Sequence, residues 1–77
     1  MGKMTNSSKA FLAGIGGKVR QLREALGLSQ VKLAQKAKVH VNVVGRVERG
    51  SYNPTALTLL GIAEALGTTV SDLVKTR

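Results

Sequence analysis

Seventy-seven residues suffice for one domain around one small core and leave no room for a second, because a chain of this size buries only about 60% of the surface its unfolded form exposes. Cysteine is absent, which excludes disulfides and thiolate-held metal, so packing or a partner subunit must supply the stability. Twelve Lys and Arg against four Asp and Glu give a formal net charge of +8, a field that selects polyanions as partners; a membrane surface would require an amphipathic anchor or a lipidation motif, and neither is evident.

Residues 1–9 are small and polar, with Lys3 and Lys9 as their charges, and are expected to form a flexible N-terminal arm ahead of a domain at 10–77. Asn6-Ser7-Ser8 matches a glycosylation sequon, which is without consequence in a chain that is not secreted. The apolar run AFLAGIGG after Lys9 is too short and too broken by glycine for a signal peptide or a membrane span, so a cytoplasmic protein is expected. From about Ala10 to Leu26, the residues Phe11, Leu12, Ile15, Val19, Leu22 and Leu26 recur at spacings of three and four, as on one face of a helix. Gly27 is its stop signal. Gly14, Gly16 and Gly17 cost about 1 kcal/mol each inside a helix, which leaves the start open by a turn.

Ser29 is placed to cap a second helix, QVKLAQKA, with Leu33, Ala34 and Ala37 on one side. Farther on, Asn53 and Pro54 read as N-cap and first helical residue of a helix ending at Gly67. Its apolar arc of Leu57, Leu59, Leu60, Ile62, Ala63 and Leu66 is broader than one small core needs. Either this is a central helix packed on several sides, or Leu59, Ile62 and Leu66 also serve a dimer contact. Thr69 with Asp72 three residues on is patterned as a capping box for a short last helix through Leu73 and Val74.

The stretch between, VHVNVVGRVERG at 39–50, admits two readings. Val39, Val41 and Val43 alternate with His40 and Asn42 as in a half-buried strand. A lone strand among four helices has nothing to pair with, however, and packing overrides valine's mild helix penalty, so a helix is expected. On a wheel of about 100° per residue, Asn42, Arg46 and Arg49 fall within about 60° of one another, opposite Val43, Val44 and Val47. Gly45 lies beside this polar stripe, where missing bulk permits close approach to another surface. Arginine offers a planar fork to guanine or phosphate, and asparagine pairs bidentately with adenine. Two short helices joined by a tight turn, the second basic and exposed, describe a helix-turn-helix.

The segments LREALGLSQVKLAQKAKV, VVGRVERG, NPTALTLLGIAEALG and TTVSDL together resemble the phage repressor and Cro type of helix-turn-helix domain, also called XRE-like. The resemblance implies an all-α, five-helix, lambda-repressor-like bundle whose partner is double-stranded DNA. Gln30 matches a glutamine that touches a DNA phosphate and braces the recognition helix. His40, Val41, Asn42 and Arg46 match base-contacting positions, while Arg49, Ser51 and Asn53 match positions that contact the DNA backbone. Arg23 and Glu48 match a structural salt bridge between the first and third helices. Three positions depart from the family pattern. Lys32 stands where an acid is common and Lys38 where glycine is; both exchange stability for charge, and with Lys36 they are expected to be phosphate contacts. Val41 replaces a polar residue and is left with a thymine methyl contact or plain packing.

Enzymatic chemistry finds no support. His40 is the chain's one histidine, the acids Glu24, Glu48, Glu64 and Asp72 are scattered, and GIGGK at 14–18 lacks the spacing of a phosphate loop. No cofactor is expected. The reading is therefore a sequence-specific regulator of transcription, binding a near-palindromic operator as a homodimer. The alternatives are an antitoxin-like protein acting mainly on a partner protein, and a nonspecific nucleic-acid packager.

Overall fold

The structure is a computed structural model that describes residues 5–75. Among these residues it contains five helices and no strand: α1 (Asn6–Ala25), α2 (Gln30–Ala37), α3 (Val41–Arg49), α4 (Ala56–Leu66) and α5 (Val70–Val74). Helices α2 and α3 form the helix-turn-helix, and the segment 39–50 is helical as expected from its context.

Local chemistry explains most boundaries. Ser29, Thr55 and Thr69 each accept, through a side-chain oxygen, the backbone N–H three residues on, satisfying one of the orphan donors at a helix start. Helices α3 and α4 end on Gly50 and Gly67, both left-handed with φ of 72°. At the end of α2 the same conformation falls on Lys38, with φ of 60°, at a cost of roughly 1–2 kcal/mol that glycine would not incur.

Two boundaries differ from expectation. Helix α1 starts at Asn6, where Thr5 caps it by accepting from the Ser8 amide at 3.0 Å. Asn6–Lys9 are thus its first turn rather than part of an arm, and residues 1–4 of that arm lie outside the described residues. The glycines do not break α1, because one of them is used for packing. A Cβ on Gly16 would collide with the backbone oxygen of Val47 and lie 2.7 Å from that of Glu48, so its absence lets α1 and α3 touch backbone to backbone. Helix α4 starts after Thr55 rather than at Asn53-Pro54, which remain in an extended loop over 51–55. The threonine hydroxyl caps Thr58 and leaves Asn53 in solvent.

The core draws on all five helices: Leu12, Ile15 and Val19 from α1, Leu33, Ala34 and Ala37 from α2, Val44 and Val47 from α3, Ile62, Ala63 and Leu66 from α4, and Leu73 from α5. Helix α4 packs against α1, α2 and α5 together, which accounts for its broad apolar arc. It approaches α2 closely at Gly61, where a Cβ would stand 2.9 Å from the Ala37 carbonyl oxygen. Of the two readings of that arc, burial in the single chain matches the central helix. Ile62 and Leu66 are 0% and 6% exposed and are core residues of the single chain, while Leu59 is half-buried against that core. The apolar side chains that α4 leaves in solvent are Leu57, 78% exposed, and Leu60, 44% exposed. None of the described helices is long and apolar enough to cross a membrane.

Candidate nucleic-acid interface

The turn between α2 and α3 is closed by the chain itself. The Val39 amide donates to the Ala34 carbonyl at 3.0 Å across left-handed Lys38. His40 is then the N-cap of α3, its Nδ1 accepting the Asn42 amide at 3.0 Å. That bond places the ring proton on Nε2, which is left as a donor at the mouth of the helix. Sequence reasoning assigned His40 to recognition but missed this capping role, because histidine is not among the favoured caps.

Behind α3 sits a three-helix clamp. Arg23 of α1 meets Glu48 of α3 through two charge-assisted hydrogen bonds, Nε to Oε2 at 2.6 Å and Nη2 to Oε1 at 3.0 Å. Gln30, the first residue of α2, donates from Nε2 to Glu48 Oε1 at 3.0 Å, and Arg23 Nη1 donates to the Leu28 carbonyl at 2.8 Å. The side chains of Arg23 and Glu48 are only 11% and 4% exposed, so both charges rely on each other. The hydrogen bonds from Arg23 to Glu48 hold the guanidinium pKa above its ordinary value against the opposing effect of burial. Gln30 commits one of its two amide hydrogens to this clamp and braces α3 from behind.

In front, the wheel reading holds. Asn42, Arg46 and Arg49 are exposed, whereas Val44, Gly45 and Val47 are buried. Val41 is half-buried and packs against the core, with Val43 beside it on the same terms. Gly45 is not open to solvent as its place beside the stripe suggested; the Arg49 guanidinium lies over it. In the loop after α3, the Ser51 amide and hydroxyl both reach the Arg46 carbonyl, at 3.1 and 3.4 Å. Ser51 therefore closes the end of α3, and Asn53 is exposed beyond it. Tyr52, a residue the sequence did not single out, packs half-buried against the core and anchors this loop.

The lysines divide. Lys32 is exposed in the first turn of α2, its amide bound to Ser29. Lys36 and Lys38 instead line a groove of about 410 Å³ with Ala37 and with Gly61, Glu64 and Ala65 of α4. Lys36 continues into an adjoining groove beside Leu26, Leu28 and Leu66. On a wheel of about 100° per residue Lys32 and Lys36 lie about 40° apart, both on the side of α2 away from Gln30, whose amide reaches Glu48 of α3. Among the described residues no group of His, Cys, Asp or Glu is arranged to hold a metal ion.

A short helix, a tight left-handed turn and a second helix that offers a clamped row of donors to solvent define a helix-turn-helix DNA-binding domain. The chain belongs to the XRE-like helix-turn-helix family, HTH_3, whose family model matches residues 19–73. It is 38% identical over 60 residues to the immunity repressor protein of Bacillus phage phi105, covering 78% of this chain and 42% of that one. It is 41% identical over 56 residues to the control protein C.SmaI of Serratia marcescens, covering 73% and 67% of the two chains. Among solved structures, the restriction-modification controller protein C.AhdI from Aeromonas hydrophila superposes with a TM-score of 0.78 at 39% identity, covering 80% of this chain and 94% of that one. The chain thus spans less than half the phage repressor but nearly all of the controller protein. By name these relatives are one repressor and two control proteins.

Proposed function

We propose that the protein regulates transcription by binding double-stranded DNA sequence-specifically, with α3 in the major groove. The observation that carries this reading is the exposed row of Asn42, Arg46 and Arg49 on a helix fixed from behind by the Arg23–Glu48–Gln30 clamp. Base-edge recognition needs donors held at a defined register, and a short helix locked at its far side supplies that. Asn42 and Arg46 choose bases, His40 offers its Nε2–H at the helix mouth, and the exposed part of Val41 meets a thymine methyl. Lys32, Arg49, Asn53 and the free amide hydrogen of Gln30 hold phosphates, which supply much of the affinity and set the register. Lys38, next to the mouth of α3, contributes charge there, and Lys36, one turn after Lys32 on α2, adds to the same positive field.

Two copies would read half-sites about 34 Å apart on a near-palindromic operator. Leu57 and Leu60, the exposed leucines of α4, are the apolar surface available for pairing once Ile62 and Leu66 are assigned to the core. Control proteins and phage repressors are fitting relatives for such a switch, which would act inside the cell at the cytoplasmic DNA. Selection of bound duplexes from a random pool tests the reading. It predicts enrichment of one sequence with two related halves, and a pool that stays random would refute sequence-specific recognition.

A further inference from the structure

Gly45 occupies the middle of α3, where glycine destabilises a helix relative to alanine. Packing does not demand it. A Cβ on Gly16 or Gly61 would strike a backbone carbonyl of a neighbouring helix, whereas one on Gly45 would meet, outside α3's own backbone, the tip of a flexible side chain: Arg49 Nη1 at 3.2 Å, and Cζ and Nη2 at 3.9 Å. Residues four apart are neighbours on a helix surface, and here the i+4 side chain lies back over the i position. Gly45 is buried although it stands beside the exposed stripe, and beyond its chain neighbours and the helix backbone this guanidinium is what lies over it. The guanidinium itself forms no ion pair or hydrogen bond with the described residues, in contrast to Arg20 and Arg23, which are both paired with acids. Its donors are uncommitted.

We propose that Gly45 is a positioning residue, the seat that holds the Arg49 guanidinium back against α3 so that its fork donates to a backbone phosphodiester of bound DNA. Arginine carries substantial rotamer entropy, and confining it before binding reduces what must be lost on contact. A phosphate is the partner rather than a base because Arg49 is the last residue of α3, directly before the Gly50 cap, while base edges are met by the N-terminal part of a recognition helix. The proposal rests on the reading that α3 binds DNA. It adds that the chain keeps a helix-weakening glycine for the sake of affinity.

The test uses the full chain, a duplex recovered from the random pool and a scrambled duplex, with Gly45→Ala, Arg49→Ala and the double variant titrated at several salt concentrations. Gly45→Ala is expected to melt at the same or a higher temperature, yet to bind both duplexes about threefold more weakly, because the guanidinium tip must give way at a 3.2 Å contact. In the Arg49→Ala background, Gly45→Ala is expected to change binding no further. Equal weakening in both backgrounds would overturn the seat and show that DNA itself approaches Gly45. Unchanged affinity of Gly45→Ala, a lowered melt, or a loss confined to one base pair would each overturn the proposal as well. Failure of the unaltered protein to bind any duplex would be seen separately, and would remove the DNA reading beneath it.

Discussion

Replacing Glu48 with glutamine tests the clamp while keeping its shape. The substitution removes the negative charge that Arg23 meets at 2.6 and 3.0 Å and Gln30 at 3.0 Å. An exposed ion pair is worth about 0–1 kcal/mol, whereas removing one partner of a buried pair costs about 3–5 kcal/mol, because the other charge is left without compensation. With the side chains of Arg23 and Glu48 11% and 4% exposed but both residues only partly buried, the pair lies between these cases. Glutamine keeps one acceptor oxygen, which sets the cost at about 2 kcal/mol. Against a total stability of roughly 5–15 kcal/mol, that is a large fraction. It corresponds to a fall in Tm of about 8–16 °C, at about 4–8 °C per kcal/mol for a domain of this size. Urea unfolding followed by circular dichroism should show a lower midpoint at an unchanged slope, since the surface exposed on unfolding is the same. The ranking of preferred DNA sequences should persist, because Glu48 is turned towards Arg23 and Gln30 rather than towards the exposed stripe. A loss below 1 kcal/mol would refute the reasoning and return this pair to the class of surface bridges.

Arg46→Ala should relax base choice at one or two positions and cost about 1–3 kcal/mol of discrimination; a pool selected by the variant that matches the original would retire the assignment. Lys32→Ala should weaken all duplexes alike and reduce the slope of log affinity against log salt by about 0.9, and a sequence-selective loss would count against a phosphate role. Gly16→Ala should destabilise the fold by about 1–3 kcal/mol through overpacking against the Val47 and Glu48 carbonyls, although alanine favours a helix by about 1 kcal/mol. A variant with a higher Tm would show that α1 and α3 can separate at no cost.

The arrangement of helices was legible because it follows from periodicity, caps and the impossibility of an unpaired strand at 39–50. The donor stripe was legible for the same reason: the wheel that buries Val44 and Val47 must expose Asn42 and Arg46. Features that depend on what a residue meets across space were less so. Nothing in a local pattern separates Leu57 from Ile62, since their assignment to solvent and core is decided by α1, α2 and α5 closing on α4. Lys36 lies one turn after Lys32 on the same side of α2, and only the fold shows that α4 runs beside it. The start of α1 was left open by a turn, and the Thr5 cap that fixes it precedes the apolar periodicity; the gain from Gly16 lies in contact with a helix some thirty residues away, which no local pattern shows.

The junction of α1 with α3 is fastened at two places without intervening side chains, Gly16 against the carbonyls of Val47 and Glu48, and Gly50 with its would-be Cβ 3.0 Å from Ala13 Cα. Main chain laid directly on main chain has no rotamers to exchange, which leaves α3 little room to tilt or slide on α1. On the proposed reading, an imperfect half-site would be accommodated by bending of the duplex and by the reach of Arg46 and its neighbours, which makes the flexibility of untouched base steps part of how such a rigid reader would choose its target.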